Sequence, residues 1–83
     1  MEKENIKNLV TKFVNELLFI ENENALGENT LLFEEGLLDS MGFISLITFI
    51  QDEFEILPTD DEMTEDNFGS ISSITNYILT NLN

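Results

Sequence analysis

Asp39-Ser40-Met41-Gly42-Phe43-Ile44-Ser45-Leu46-Ile47-Thr48-Phe49-Ile50 marks the place where a turn-prone, acidic stretch gives way to a nearly uncharged apolar run. The stretch before it, Phe33-Glu34-Glu35-Gly36-Leu37-Leu38, mixes acids and a glycine with apolar residues. Projected at 100° per residue, Phe43, Leu46, Ile47, Ile50 and Phe54 fall on one face, the signature of a helix with one side in the core. The spacing predicts a helix from Ser40 to about Glu55, ending before Pro58, because the residue preceding a proline avoids helical backbone. The opposite arc carries Ser45, Thr48, Gln51, Asp52 and Glu55. Met41 and Ile44 fall in that polar arc, one turn from Ser40. Apolar side chains exposed beside a displayed serine read as a docking surface.

Working outward, Ile6, Leu9, Val10, Phe13, Leu17 and Ile20 share one arc and predict a first helix from Glu4 or Asn5 to Ile20. Residues 21–38 form a long connection, with turn-like Glu21-Asn22-Glu23-Asn24 and Gly27-Glu28-Asn29. Leu26, Leu31, Leu32, Phe33, Leu37 and Leu38 make it too apolar for a free linker, so it reads as a loop pinned to the core. Loops of this length are uncommon unless functional. Downstream, a short third helix is expected around Thr64–Phe68. Ser70 is a candidate N-cap for a last helix with Ile71, Ile74, Ile78 and Leu82 on one face. No hairpin signal or internal repeat interrupts the pattern. The expected fold is all-α: a small antiparallel four-helix bundle of three longer helices and one short, with a long loop between helices 1 and 2.

The chain has 83 residues, enough for one domain, 1–83, and close to the size at which a single core is marginal. Without cysteine there is no disulfide staple and no thiolate zinc site. The start, Met1-Glu2-Lys3-Glu4-Asn5, lacks the layout of a signal peptide, and no stretch has the roughly 18 apolar residues of a membrane span. A cytoplasmic protein is the expectation. Seventeen acids face three lysines, a net charge of −14, and Lys3, Lys7 and Lys12 are the whole positive set. Such a surface repels nucleic acid and anionic membrane and attracts basic proteins. Crowded carboxylates also disfavour one another's ionisation, so the fold should be loosened by its own charge.

The absence of histidine excludes a Ser-His-Asp triad, and phosphate-loop glycine patterns are missing. Asp60-Asp61-Glu62 with Glu65-Asp66 invites a calcium reading, but a calcium loop starting at Asp60 needs glycine where Glu65 stands. No metal site is expected. At a helix start, Ser40 sits where backbone N–H groups and the dipole favour an anion, so a phosphodiester on it would be tolerated. Asp39 either caps the helix or is read by a partner's cations. Taken alone, both residues also fit a plain N-cap. A serine displayed this way, with nothing to activate it, is a substrate for modification rather than a nucleophile.

The segment Phe33-Glu34-Glu35-Gly36-Leu37-Leu38-Asp39-Ser40-Met41 resembles the attachment site of acyl carrier proteins and their peptidyl and D-alanyl relatives. Phe49-Ile50-Gln51-Asp52-Glu53-Phe54-Glu55-Ile56 looks like the end of that family's second helix. Asn67-Phe68-Gly69-Ser70-Ile71 and Ile74-Thr75-Asn76-Tyr77-Ile78 look like its passage from third to fourth helix. The resemblance spans essentially the whole chain. It implies a phosphoprotein in which a carrier protein synthase (a phosphopantetheinyl transferase) moves 4′-phosphopantetheine from coenzyme A to Ser40. The synthase supplies the Mg²⁺ and the base. The arm's thiol then carries acyl or aminoacyl groups as thioesters, and the chain is no enzyme itself.

Implied partners are an acyl- or aminoacyl-activating ligase and downstream transferases or synthases of fatty-acid, polyketide or nonribosomal peptide biosynthesis, engaged by a monomer. By position, Asp39, Met41, Ile44, Thr48, Gln51 and Asp52 match the family's partner-contacting surface. Ser-Met-Gly, with Ser45 and Thr48, is more like D-alanyl and other stand-alone carriers than housekeeping fatty-acid carriers. The chain after Pro58 departs from the D-alanyl pattern. A specialised stand-alone carrier is therefore the expected function; the alternative is an unmodified adaptor subunit with the same fold.

Overall fold

The computed structural model describes residues 2–19 and 26–82. Four α-helices follow one another: α1 (Lys3–Leu17), α2 (Ser40–Phe54), α3 (Glu65–Phe68) and α4 (Ile71–Asn81), with a 3₁₀ turn at Asp60–Glu62 before α3. No strand occurs among the described residues. The fold is a small helical bundle in which α4 is the hub, with α1 and α3 packed chiefly against it.

The core is built from the predicted stripes. Ile6 and Val10 on α1, Leu46, Ile50 and Phe54 on α2, and Ile71, Ile74 and Ile78 on α4 are all buried. Leu9, Phe13, Leu17, Phe43, Ile47 and Leu82 pack against this core only partly buried. Val14, outside the α1 arc as projected, is buried as well. Helix α1 stops at Leu17, short of the expected end. Leu18 closes the last turn through its N–H on Val14 O at 3.0 Å, and Phe19 turns into the left-handed region at φ 58°. Ile20 lies outside the described residues.

The connection into α2 is pinned, as its composition predicts, but not by every leucine. Leu26, Leu32 and Leu38 are buried and Phe33 is half-buried, whereas Leu31 and Leu37 face outward. A tight turn causes this split. Glu35 N–H bonds to Leu31 O at 2.9 Å, and Leu37 and Leu38 N–H both bond to Leu32 O. Gly36 makes the reversal at φ 71°, a backbone conformation costly for residues with a Cβ. Two backbone bonds fasten the loop to the rest: Leu32 N–H to Gly69 O at 2.7 Å and Ser72 N–H to Glu28 O at 2.8 Å. An ion pair between Lys7 and Glu28 adds a tie to α1.

Ser70 caps α4, accepting from Ser73 N–H at 3.1 Å, as expected from its place before the isoleucine stripe. The 3₁₀ turn was not anticipated from the sequence. Its signal was present in Thr59 followed three residues later by Glu62, the spacing of a reciprocal cap. Glu62 Oε1 accepts from Thr59 N–H at 2.9 Å, from the Thr59 hydroxyl at 3.2 Å and from the Tyr77 hydroxyl at 3.1 Å. The Glu62 carboxylate, which invites a calcium reading in sequence, is thus engaged by hydrogen bonds within the chain.

Candidate functional site

Asp39 is the N-cap of α2. Its backbone is extended, and its carboxylate accepts from Gly42 N–H at 2.8 Å while its carbonyl accepts from Phe43 N–H at 2.9 Å. The choice between Asp39 and Ser40 as cap is thereby decided. Ser40 is the first residue of the helix, is exposed, and its hydroxyl has no hydrogen-bond partner among the described residues. The N–H groups of Ser40 and Met41 also lack partners among the described residues, as the first turn of a helix leaves them. These donors and the positive end of the helix dipole suit an anionic phosphodiester at Ser40.

Ser40 stands at the edge of an open groove of ≈ 520 Å³ lined by Phe33, Leu38, Asp39, Phe43, Ile44, Met63, Thr64 and Glu65. Most of its lining is apolar, and Asp39 and Glu65 add two carboxylates. Below it an aromatic series fixes the walls. Phe33 meets Phe43 edge-on with ring centroids 5.7 Å apart, Phe43 meets Phe68 at 5.8 Å, and Phe68 meets Tyr77 at 4.8 Å. Loop, α2, α3 and α4 are joined in this way. Such pairs contribute about 0.5–1.5 kcal/mol each beyond their buried area.

Of the residues singled out from the sequence, Asp39, Ser40 and Ile44 come together around this groove. Ile44, Thr48 and Asp52 also line a second, shallower groove of ≈ 370 Å³ against Phe13 and Phe49. Those two rings stack with centroids 4.2 Å apart. Met41 and Ile44 are 71% and 58% exposed, so the prediction that they project away from the core holds. The Thr48 hydroxyl donates to Ile44 O at 3.0 Å. Gln51 is half-buried and, like Met41, lines neither groove. Sequence reasoning did not find Met63, Thr64 and Glu65, which reach the Ser40 groove from the segment entering α3. Helical periodicity within α2 carries no signal for residues that reach its start from the entry and first turn of α3.

Glu62 and Tyr77, beyond the groove, are both shifted. The Thr59 N–H, and secondarily the Tyr77 and Thr59 hydroxyls, hold the Glu62 carboxyl below the usual carboxylate range. Burial, helped by the Glu62 charge, pushes the Tyr77 phenol up to about 12.

No protein-family model matches the chain. Individual relatives do. The D-alanyl carrier protein of Streptococcus mutans serotype c is 32% identical over 69 residues, covering 83% of this chain and 85% of that protein. The D-alanyl carrier protein of Bacillus subtilis is 38% identical over 47 residues, 57% of this chain and 60% of that one. The acyl carrier protein AsbD of Bacillus anthracis is 26% identical over 78 residues, 94% and 86% of the two chains. With similarity of this extent on an all-helical bundle, the chain belongs to the acyl and D-alanyl carrier protein family.

Proposed function

We propose that the 83-residue chain is a single carrier domain acting alone, and that Ser40 is its point of attachment for 4′-phosphopantetheine. The observation that carries this reading is the division of labour at the start of α2. Asp39 satisfies the helix cap, so the Ser40 hydroxyl is left exposed over an apolar groove. In the loading reaction the Ser40 oxygen forms a bond to phosphorus and the phosphoanhydride of coenzyme A breaks. The nucleoside bisphosphate leaves, and the hydroxyl proton passes to the synthase's base. Once attached, the arm supplies a thiol able to hold an acyl or aminoacyl group as a thioester. The chain's own residues catalyse nothing. The Ser40 and Met41 N–H groups stabilise the phosphodiester charge, and the groove walls bound the space beside it.

Met41, Ile44, Thr48 and Asp52 offer an apolar strip with an acidic end to a basic, apolar partner surface, with Asp39 beside the attachment point. Gln51, half-buried, contributes less contact area. The partners are the carrier protein synthase, an activating ligase and the enzymes that consume the loaded thiol, in the cytoplasm. The test is intact mass after incubating the purified chain with coenzyme A, Mg²⁺ and a carrier synthase. One phosphopantetheinyl addition is expected in the wild type and none in Ser40→Ala, with unchanged helical circular dichroism. No addition to the wild type, or an addition to Ser40→Ala, overturns the assignment.

A further inference from the structure

We propose that Gly42 is a positioning residue for the modification of Ser40, acting through Leu38. The proposal rests on the carrier reading. A Cβ at position 42 would stand 2.6 Å from Leu38 Cδ1, and 3.4 Å from both Leu38 Cγ and Asp39 Oδ1. Carbon atoms in contact prefer about 3.5–4.0 Å, so the first of these separations forces a movement. The Leu38 backbone is held, since its N–H bonds to Leu32 O at 3.1 Å in the turn before α2. Its side chain is buried and lines the Ser40 groove. A methyl group at position 42 therefore displaces the end of a side chain that forms part of that groove's wall.

The cap is spared, because 3.4 Å to Asp39 Oδ1 is an ordinary contact and the Gly42 N–H donor is retained in any non-proline residue. Alanine also favours helix over glycine. The substitution thus leaves the helix start intact or strengthens it, while changing the wall of the groove that Ser40 shares. Glycine at this position, in the first turn of α2, leaves the end of Leu38 undisturbed.

The experiment compares loading rates of wild type, Gly42→Ala, Leu38→Val and the double variant with coenzyme A and a carrier synthase. Each variant is also followed by thermal unfolding and by amide NMR shifts of Ser40 and Met41. Valine lacks the Cδ atom that the new methyl displaces. Gly42→Ala should lower kcat/KM roughly tenfold, within the roughly 10²-fold that a misplacement of about 1 Å can cost. Its melting temperature should be unchanged or higher, and its Ser40 and Met41 amides should shift. Adding Leu38→Val should restore both rate and shifts. A wild-type rate in Gly42→Ala, failure of the added Leu38→Val to rescue, or a rate loss that simply follows a lowered melting temperature overturns the proposal. A wild type that gains no mass overturns the carrier reading and this proposal with it. A loaded wild type beside an equally loaded Gly42→Ala overturns this proposal alone.

Discussion

Asn15 is buried on α1, and neither its Oδ1 nor its Nδ2 finds a partner among the described residues. Burying a polar group unpaired costs about 1–3 kcal/mol. Asn15→Leu, which replaces the amide by an apolar group of similar shape, should raise the melting temperature by several degrees, at about 4–8 °C per kcal/mol for a domain of this size. Thermal unfolding by circular dichroism measures this, and a fall would mean that the amide's size matters more than its polarity. Asp39 is the opposite case, a polar residue with both acceptor roles used. Asp39→Ala should cost about 1 kcal/mol through loss of the cap. Denaturant unfolding checks that figure, and a null result would show that Ser40 takes over as cap.

Helix α2 has two faces with different duties. Leu46, Ile50 and Phe54 are buried, while Met41, Ile44, Thr48 and Asp52 are exposed. Truncating a buried leucine costs 2–5 kcal/mol, so Leu46→Ala should lose stability on that scale. Ile44→Ala should change the melting temperature little and reduce turnover with the synthase or ligase. A core-sized loss for Ile44→Ala would place its side chain in the fold rather than at a partner. The 3₁₀ turn is an element held by a carboxylate, and the sign of its pH dependence follows. Thr59 and Tyr77 depress the folded pKa of Glu62 below 4.5, so its contribution is present above that value and lost as pH falls through the folded pKa. Lys7 lowers the pKa of Glu28 in the same sense. Tyr77 and Lys7 are raised, so their contributions hold up to about pH 10 and vanish as pH rises beyond it. In Glu62→Gln the decline of melting temperature below pH 4.5 should be shallower than in wild type. An identical acid limb would remove Glu62 from the account.

At the scale of the whole molecule the charge of −14 acts through partners and on the fold itself. Between mildly acidic buffer and pH 8 neither Glu28 nor Glu62 changes protonation appreciably. The excess of negative charge repels itself across this range. A higher melting temperature at the acidic end, with recovery at pH 8 on adding salt, is the expected result. A flat profile would show that repulsion among the acids weighs equally on the folded and unfolded chain. Association with a basic synthase should weaken as sodium chloride is raised, because the screening length is only about 8 Å at 0.15 M and shortens further. A rate independent of salt would assign recognition to Met41 and Ile44 alone. No helix among the described residues is long and apolar enough to cross a membrane.

The sequence by itself determined the helices, their buried stripes and the serine at the start of α2. Those features are local: periodicity at Phe43, Leu46 and Ile50 or at Ile71, Ile74 and Ile78 is a property of neighbours three and four apart. Tertiary structure decided what depends on distant segments meeting. It turned Leu31 and Leu37 outward while burying Leu32 and Leu38, and it engaged Glu62 with Tyr77. It also brought Met63, Thr64 and Glu65 to the groove beside Ser40. Each of these is settled by a backbone turn or a contact between elements, whose energy enters only when the chain has closed on itself.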